Sequence, residues 1–565
     1  MTNRTFNLTT EPWIKVVEVG TNETTEVSLL MLFQHASQYR QLAGETKSQD
    51  LAILRLLLAI LTTVYSRYDT SGRLYGWYDE TLRKKSFVVS NDMAEDQLLD
   101  TWKSLYKGGR FSEIVSQYLK QHASQFDFFG PKPFFQVTAS DYDAAVPNNR
   151  KISAGKGTVA IRQINRRISE SANSPAIFSP KSGGFKDQLS LSELVRWIIS
   201  YQNFTGGTDK TKISTDENFS VPAGWLYKLN PVFIDGKNLF EMLILNLVLI
   251  DPQHKGIAIQ RPVWEYDNIQ EYIVERKRQV APDNIAALYT TWSRLLHIEW
   301  DGKQPKIFSA GLPMFGQDNV YIEPMTVWRR DSKTKIDRPA TKGRSSLGVA
   351  MWRKFGDYVA TAHTDDIHQP GIVSWLQQLK ELLDTDAMVT LVSTALVSDG
   401  NATSQSPAAE VFDKMSINAS VLFDNQNADY WPDRIEGVIQ ITQKIGADYW
   451  HFAKDLGELR YSESKYSNAR PFAGAMQQKF YDSLNQPFNE WLANLTNQDD
   501  RDQKIIEWEL HLKKLVLDAA AEMMKHCSSR ELNGVTNGQK TKNVFTVTNY
   551  LQRKITRDLD LPKGE

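Results

Sequence analysis

The sequence has one cysteine, Cys527, in 565 residues. A single thiol cannot form a disulfide within the chain or a thiolate cage around a metal ion, so the sequence excludes both. Proteins of oxidising compartments often carry paired cysteines, and this chain instead has the cysteine content of a protein from a reducing compartment. We therefore expect it to be cytoplasmic.

The sequence also lacks an apolar run long enough to cross a membrane. Its most hydrophobic stretch, LAILRLLLAILTTVY at residues 51–65, contains Arg55 and is shorter than the roughly 20 residues that a span requires. The N-terminus, MTNRTFNLTTEPW, lacks the basic and then apolar layout of a signal peptide. We predict a buried core helix at residues 51–65 and no membrane partner.

The sequence has no excess of positive or negative charge either, since 66 basic and 67 acidic side chains leave a net charge of −1. This balance excludes a histone-like chain, although it allows local basic patches. Hydrophobic residues make up 41% of the chain, which is typical of a folded globular protein. At about 150 residues per domain, the length favours two to four domains.

Known catalytic motifs are missing: there is no Walker loop, no G-x-S-x-G and no H-E-x-x-H. The strongest candidate is HTDDIH, in which a metal-dependent hydrolase would use His363, Asp365, Asp366 and His368. On a helix the two histidines would point about 140° apart, and a solvated polar loop is the favoured interpretation. We expect no enzyme activity, no metal and no cofactor, and the hydrolase stays an alternative.

The pattern of elements predicts an α+β fold. WIKVVEV and TTEVSLL flank a turn and predict a hairpin, and helical periodicity dominates residues 48–118. The stretch from GWLYKLN through LFEMLILNLVLI, residues 224–250, predicts an edge strand and a buried helix. Residues 390–415 predict two strands joined by SDGNATSQSP. We assign residues 1–415 to a large mixed α/β domain with short sheets and long loops.

Beyond residue 424 the sequence predicts long amphipathic helices. Four of them fit between Tyr430 and Asp560, so we predict a C-terminal four-helix bundle over residues 416–565. One apolar face is predicted by residues that recur every three or four positions: Ile505, Trp508, Leu512, Leu515, Ala519 and Met523.

Two glycines lie side by side in SPKSGGFKDQLSLS, residues 179–192. Gly183 and Gly184 are flanked by Lys181 and Lys186, and they precede a helix start that an S-x-x-E capping box predicts. An ordinary turn explains such a pair. So does a backbone that must lie against a bulky anion near a helix N-terminus.

Residues 148–167 form a basic segment without any acidic residue. This composition suits phosphate contacts and a solvated loop equally well. The stretches at residues 275–278 and 328–344 add weaker basic signals. The cations of the main segment are Arg150, Lys151, Lys156, Arg162, Arg166 and Arg167.

Several short segments, in order, resemble one family. They are NLTTEPWIKV, AILRLLLAIL, PFFQV, LSELVRWIISYQNF, RPVWE and EPMTVWRR. Together they are similar to the large subunit, CasA, of the type I-E CRISPR surveillance complex Cascade, with Lys15 at a position where that family usually has proline. The resemblance runs from about Phe6 to Trp352 and then continues as a helical bundle.

This resemblance implies recognition of the protospacer-adjacent motif (PAM) in double-stranded DNA, largely through the minor groove. It implies a glycine loop at Gly183 and Gly184 beside Lys181 and Lys186, and a lysine finger at Lys303 or, failing that, Lys306. It also implies a wedge at Asn401 or Gln405 that separates the first base pairs. A loop that contacts nucleic acid would use Lys151, Lys156 and Arg162.

The resemblance further implies a non-catalytic subunit with macromolecular partners. These partners are target DNA, a helicase–nuclease, and the subunits that carry the CRISPR RNA (crRNA): the small subunit, the backbone subunits and the subunit at the crRNA 5′ end. A scaffold that only bridges proteins remains an alternative, as does the hydrolase.

Overall fold

The computed structural model describes residues 5–79, 88–89, 92–166, 179, 181–206, 211–250, 257–302, 304–318, 320, 323–359, 367–383, 387–398, 407–424, 430–461, 467–537, 540–559 and 561. The chain forms two compact units. The first unit comprises residues 1–347, 366–382 and 391–413, and the second comprises residues 348–365, 383–390 and 414–565. The predicted boundary between residues 415 and 416 stays a prediction.

The α-helices of the described residues are α1 Leu29–Gln34, α2 Lys47–Tyr65, α3 Asp92–Gly108, α4 Glu113–Gln121, α5 Ala139–Ala145, α6 Leu191–Phe204, α7 Leu239–Leu245, α8 Ile269–Lys277, α9 Ile285–Tyr289, α10 Phe355–Tyr358, α11 Gly371–Gln378, α12 Ala419–Leu422, α13 Trp431–Arg460, α14 Ala469–Ala493, α15 Arg501–Met524, α16 Ser529–Asn533 and α17 Val544–Asp558.

The strands are β1 Ile14–Glu18, β2 Thr24–Val27, β3 Tyr39–Leu42, β4 Val88–Val89, β5 Thr158–Val159, β6 Val232–Asp235, β7 Ile257–Ala258, β8 Arg294–Trp300, β9 Pro305–Gly311, β10 Trp328–Arg330, β11 Asp337–Pro339, β12 Ile367–His368, β13 Met388–Ser398, β14 Pro407–Asn418, β15 Val535–Asn537 and β16 Lys540–Lys542. They form small sheets in the orders β2-β1-β3, β11-β10-β12, β14-β13-β6, β5-β9-β8, β15-β16 and β4-β7.

Helix α2 forms the centre of the first unit. It begins after Thr46, whose side chain accepts a hydrogen bond from the backbone of Gln49, and its side chains from residue 51 onward are buried. Among the described residues this helix alone has the length and hydropathy of a membrane span, but the whole of its apolar window is buried inside the protein. It packs against α6 and α9. The predicted core helix is confirmed.

One sheet of the first unit joins segments that are distant in sequence. Strands β8 and β9 form an antiparallel hairpin, and the two residues of β5 pair with β9, Thr158 with Phe308 and Val159 with Ile307. Because β5 lies within the basic segment, this pairing fixes the basic segment against the hairpin. The sequence alone did not predict it.

The second unit contains the predicted long helices. Helix α13 packs against α14, α15 and α17, and α15 also packs against α14 and α17. In α15 the buried face includes Trp508, Leu512 and Met523, as predicted, but also Val516 and Ala520. The predicted Ile505, Leu515 and Ala519 are only half-buried, because the buried residues recur every four positions from Trp508 to Ala520.

The α+β fold class, with mixed helices and short sheets followed by a helical region, is confirmed. The hairpin of β1 and β2 and the strands β13 and β14 lie where the sequence predicts them. The edge strand and the buried helix predicted within residues 224–250 are confirmed as β6, at the edge of its sheet, and α7. The strand begins only at Val232, because residues 225–228 form turns and Lys228 has a left-handed backbone with φ of +72°.

Candidate nucleic-acid interface

The glycine pair lies at an exposed turn. Gly183 begins a short 3-10 turn that ends at Phe185, and its φ of +59° lies in the left-handed region that favours glycine. A Cβ atom added to Gly183 or to Gly184 would meet no atom within 4 Å. Phe185 is 66% exposed. The turn therefore presents bare backbone, with one aromatic ring beside it, to an open surface.

Two residues of the basic segment anchor this turn. The buried Asn165 donates a hydrogen bond from Nδ2 to the carbonyl oxygen of Lys186, at 2.8 Å. The buried Arg166 donates to Asp187 Oδ1 at 2.7 Å and also to the side chain of Asn165. Arg166 therefore has a structural contact, although in the sequence it belonged to a basic run without counter-charge.

The helix that follows the glycine turn is capped by its own residues. Ser190 Oγ accepts from the backbone N–H of Glu193, and the Glu193 carboxylate accepts from the backbone N–H of Ser190, so the predicted capping box is confirmed. Lys181 Nζ lies 2.7 Å from that carboxylate and also donates to the carbonyl of Gln188.

Burial opposes ionisation of Glu193, but hydrogen bonds from Lys181 and Ser190 outweigh it and lower the pKa of this carboxyl. The ionised carboxylate therefore occupies the position at the N-terminus of α6 where we expected an outside anion. Lys181 binds this carboxylate, and its side chain is one-third exposed.

The basic segment runs from short 3-10 turns into β5. Lys156 is exposed, whereas Lys151 and Arg162 are half-buried. Gly157, with φ of +80°, precedes β5, and its carbonyl accepts from the backbone of Ser309 in β9 at 2.9 Å. A Cβ atom at Gly157 would lie 3.2 Å from Thr211, so the chain passes closely against its neighbour at this point.

Lys306, the second choice for the lysine finger, lies on β9. Its Nζ is 3.6 Å from Glu299 Oε2 on β8 and 4.6 Å from the centre of the Phe308 ring. Both charged side chains are about half-exposed, so this ion pair is screened by solvent. Lys303 lies outside the described residues, between Gly302 and Gln304.

The wedge candidates Asn401 and Gln405 also lie outside the described residues. The structure does describe the two strands that flank them in sequence. Strand β13 ends at Ser398 and β14 begins at Pro407, and the two are neighbours in one sheet.

Of the hydrolase candidates, His363, Asp365 and Asp366 lie outside the described residues and only His368 is described. Its Nε2 is 3.5 Å from Asp337 Oδ1, and Arg330 binds the same carboxylate at 2.9 Å. In the part of the chain that the structure describes, no three His, Cys, Asp or Glu side chains are grouped to hold a metal ion.

Comparison with known proteins identifies the family. A family model described as CRISPR-associated protein Cse1 matches residues 7–519. The chain belongs to the Cse1 family. One solved structure of a member, from Thermus thermophilus, carries both names, CasA and Cse1, so the resemblance inferred from short motifs is confirmed for the family.

Solved structures of Cse1 proteins share the fold over nearly the whole chain. Cse1 from Thermobifida fusca has a TM-score of 0.72 at 20% identity, covering 98% of this chain and 97% of its own. Cse1 from Acidimicrobium ferrooxidans has a TM-score of 0.70 at 19% identity, covering 99% of each chain. A chain of a structure described as a CRISPR RNA-guided surveillance complex has a TM-score of 0.58 at 13% identity, covering 98% and 99%. No curated protein matches this chain.

Sequence reasoning missed the anchor of the glycine turn. Asn165 and Arg166 were part of a basic run, and Asp187 was a residue after the glycine pair; nothing in the sequence links them. The sheet of β5, β9 and β8 and this anchor together connect the basic segment, the β8–β9 hairpin and the glycine turn within the first unit.

Proposed function

We propose that this chain is the large, non-catalytic subunit of a type I-E Cascade complex and that it recognises the PAM of double-stranded DNA from the minor groove. Recognition would start strand separation, so that the crRNA can pair with the target. The CRISPR family of the chain and its likeness in fold to a chain of an RNA-guided surveillance complex support the general part of this proposal. The roles proposed below for individual DNA-binding residues are argued from the geometry of the first unit.

The observation that carries the proposal is the open surface around Gly183 and Gly184. The minor groove of B-DNA is only about 6 Å wide, so bare backbone enters it more easily than a side chain does. Both glycines have empty space where a Cβ would lie, and Phe185 beside them is exposed.

The positive charge around this turn supports the same function. Lys186 is part of the turn, and the anchored basic segment brings Lys151, Lys156 and Arg162 into the same connected region. Lys306 lies on the strand that pairs with β5. These cations would bind DNA or RNA phosphates, while Lys303 would serve as the lysine finger. Lys181 would act at the edge of the site, since its ammonium already binds Glu193.

Asn401 or Gln405 would be the wedge in this proposal. Both follow β13 in the chain and precede β14. Insertion of a side chain between base pairs costs a few kcal/mol of lost stacking per step, which phosphate contacts and crRNA pairing would offset.

The proposed partners are target DNA, the crRNA-bearing subunits (small, backbone and 5′-end) and the helicase–nuclease. The helices of the second unit would help to hold the displaced strand, and the subunit would form a docking platform for the nuclease. Such a complex would act in the cytoplasm, where invading DNA is met.

The test is a gel shift with the reconstituted complex on duplexes that differ only in the nucleotides beside the target. Gly184→Asp is the most informative variant, because Gly184 does not have a left-handed backbone and an added side chain meets no protein atom. The variant should fold normally and should lose at least tenfold in affinity for the PAM duplex. Lys303→Ala should weaken binding to a smaller extent.

Gly76→Asp is a matched control. Gly76 is exposed, has an open Cβ position and lacks a left-handed backbone, but it lies far along the chain from the predicted DNA site. Unchanged binding by Gly184→Asp, with assembly intact, would support a protein-bridging scaffold and reject the minor-groove contact.

A further inference from the structure

The strand that follows the predicted wedge lies at the edge of its sheet. In the order β14-β13-β6, β14 has β13 on one side, and its other side forms the edge of the sheet. It begins at Pro407, after the segment that contains both wedge candidates. A group that must enter a stack of base pairs depends on supporting residues that hold its direction. A strand that is paired on one side needs such support from elsewhere.

Glu410 supplies one supporting contact to β14. Its Oε1 accepts a hydrogen bond from the backbone N–H of Ser48 at 2.7 Å, although the two residues are 362 positions apart. Ser48 is the second residue of α2, so its N–H is one of the four at the start of a helix that have no partner within the helix. The helix dipole favours a carboxylate at this position. Glu410 therefore joins β14 to the start of the buried core helix.

Phe412 supplies a second contact from the same face of β14. Residues two positions apart along a strand point to the same face, so Glu410 and Phe412 both point towards α2. The Lys47 ammonium lies 5.7 Å from the centre of the Phe412 ring, within the range of a cation–π interaction. The ring also lines a small cavity together with Leu51 and Leu54 of α2. Both side chains thus contact the first turns of one helix.

The partner strand β13 is fixed to a different part of the first unit. Lys342 Nζ donates to Ser393 Oγ on β13 at 3.2 Å, and Ser393 Oγ donates to Asn230 Oδ1 at 2.7 Å. Ser393 and Asn230 are both buried. Each of the two strands that flank the wedge segment is therefore held by residues that are distant in sequence.

The position of Glu410 along β14 gives its contact particular leverage. Glu410 is three residues from Pro407, where the strand begins, a distance of about 10 Å along a strand. Helix α2 is a firm base for this contact, because its side chains from Leu51 to Tyr65 are buried and it packs against α6 and α9. The Glu410 contact thus fixes β14 close to the end that joins the wedge segment.

We propose that Glu410 is a positioning residue for strand separation. By binding the N-terminus of α2, it holds β14 in the direction from which the wedge enters the duplex. This inference rests on the proposed function, but it assigns a role to a residue that need not touch DNA. Loss of the contact would leave PAM recognition intact and would slow the opening of the first base pairs, because the wedge would then have to be ordered during insertion.

The test measures base-pair opening by the reconstituted complex on a target duplex with 2-aminopurine beside the PAM, since the fluorescence of this base rises when it unstacks. Glu410→Ala should slow opening roughly tenfold, because the entropy of fixing one backbone residue corresponds to about that factor. Affinity for a duplex that has the PAM but does not match the crRNA should be unchanged. Glu410→Gln, whose amide oxygen can still accept from Ser48, should retain part of the opening rate.

Thr46→Ala is the matched control in the protein. It removes the side-chain cap of the same helix, in which Thr46 Oγ1 accepts from the backbone of Gln49 at 3.2 Å, but it leaves the contact between Glu410 and Ser48 in place. This variant should open the duplex at the unaltered rate. The matched control in the DNA is a target with mismatched, already open base pairs beside the PAM. Glu410→Ala should pair crRNA with this target at the unaltered rate.

Other outcomes would overturn the inference. Normal opening by Glu410→Ala would reject the positioning role. Equally slow opening by Thr46→Ala would assign the effect to the stability of α2, and a defect that persists on the open target would assign it to a later step. Asn401→Ala combined with Gln405→Ala separates this inference from the proposed wedge. Normal opening by that variant would reject the wedge itself, whereas slow opening by it together with normal opening by Glu410→Ala would reject only the role of Glu410.

Discussion

The two units of this chain are held together in different ways. The first unit contains buried ion pairs between residues far apart in sequence. Arg55 binds both oxygens of Glu323 at 2.9 Å, and Arg67 binds both oxygens of Glu265 at 2.8 and 2.7 Å. The partners are separated by 268 and 198 residues. In each pair both side chains are at most 5% exposed.

The second unit relies on the periodic apolar faces of long helices. The Trp508 ring packs edge-on against Phe488 at 4.9 Å, and its Nε1 donates to Thr442. Its ion pairs lie nearer the surface: Lys542, which is 39% exposed, binds Asp455 and Glu458 at 2.7 and 2.8 Å.

This difference reflects what each architecture must specify. A helical bundle is defined by local periodicity, and apolar packing suffices to align its helices. The first unit has short sheets and long connections, so it has little regular structure to fix its long-range order. A buried ion that loses its partner costs several kcal/mol, and this cost disfavours arrangements in which the pairs are not formed.

The largest expected effect comes from breaking a buried pair of the first unit. Glu323→Gln preserves the shape of the side chain but leaves the Arg55 guanidinium buried without a counter-charge. The free energy of unfolding should fall by about 3–5 kcal/mol. Urea denaturation measures the change, and hydrogen exchange in α2 assigns it to the first unit. Lys120→Gln, which removes an exposed pair with Glu113, should cost less than about 1 kcal/mol.

An apolar substitution in the second unit should have the next largest effect. Leu512→Ala removes a fully buried side chain of α15 and should cost about 3 kcal/mol, with faster hydrogen exchange in α13 and α15. Leu515→Ala is the matched control, because Leu515 is only half-buried and should cost clearly less. Equal destabilisation by the two variants would contradict the assignment of Leu512 to the buried face of α15.

The ion pairs of the second unit should contribute less. Lys542→Ala removes the ion pairs with both Asp455 and Glu458, yet solvent screens the three side chains. A decrease of about 0.5–1 kcal/mol in the free energy of unfolding is expected, and it should shrink when salt is raised from 0.1 to 1 M. A decrease as large as that of Glu323→Gln would remove the contrast between the units.

The smallest effect concerns pH. Burial opposes ionisation of Glu265, but the Arg67 guanidinium and the hydroxyl of Tyr118 outweigh it and lower the pKa of this carboxyl below its ordinary value. The stabilisation is therefore complete well above the unfolded-state pKa and is lost as the pH falls through that value towards the lower folded-state pKa.

At pH near 4.3, where half of the unfolded glutamate is protonated, the decrease in stability should be about 0.4 kcal/mol. Thermal unfolding between pH 7 and pH 4 measures it. Glu265→Gln, although less stable at every pH, should lack this part of the acid dependence; an unchanged profile would show that Glu265 does not carry it.

Much of the fold could be predicted because the signals are local. Residues that are close together in the sequence predicted four features: the hairpin of β1 and β2, the buried helix α2, the capping box at Ser190 and the long helices of the second unit. The exact start of the edge strand β6 was not predicted, because residues 225–228 form turns and the strand begins only at Val232.

The candidate site could be predicted only in part. The glycine pair and the basic segment stood out by composition, but the role of each cation depends on its neighbours in space. Arg166 is buried against Asp187, Lys181 binds Glu193, and Lys156 is exposed, although all three look alike in the sequence.

By itself, the sequence determined the fold class, the start of α6, the buried helix α2 and the family. These depend on periodicity and on short motifs, which are properties of neighbouring residues. The tertiary structure alone decided which charges are paired, that β5 joins β9, and that Asn165 and Arg166 hold the glycine turn. Those contacts join distant segments, and they form only when burial of the whole unit offsets the entropy of closing the loops between them.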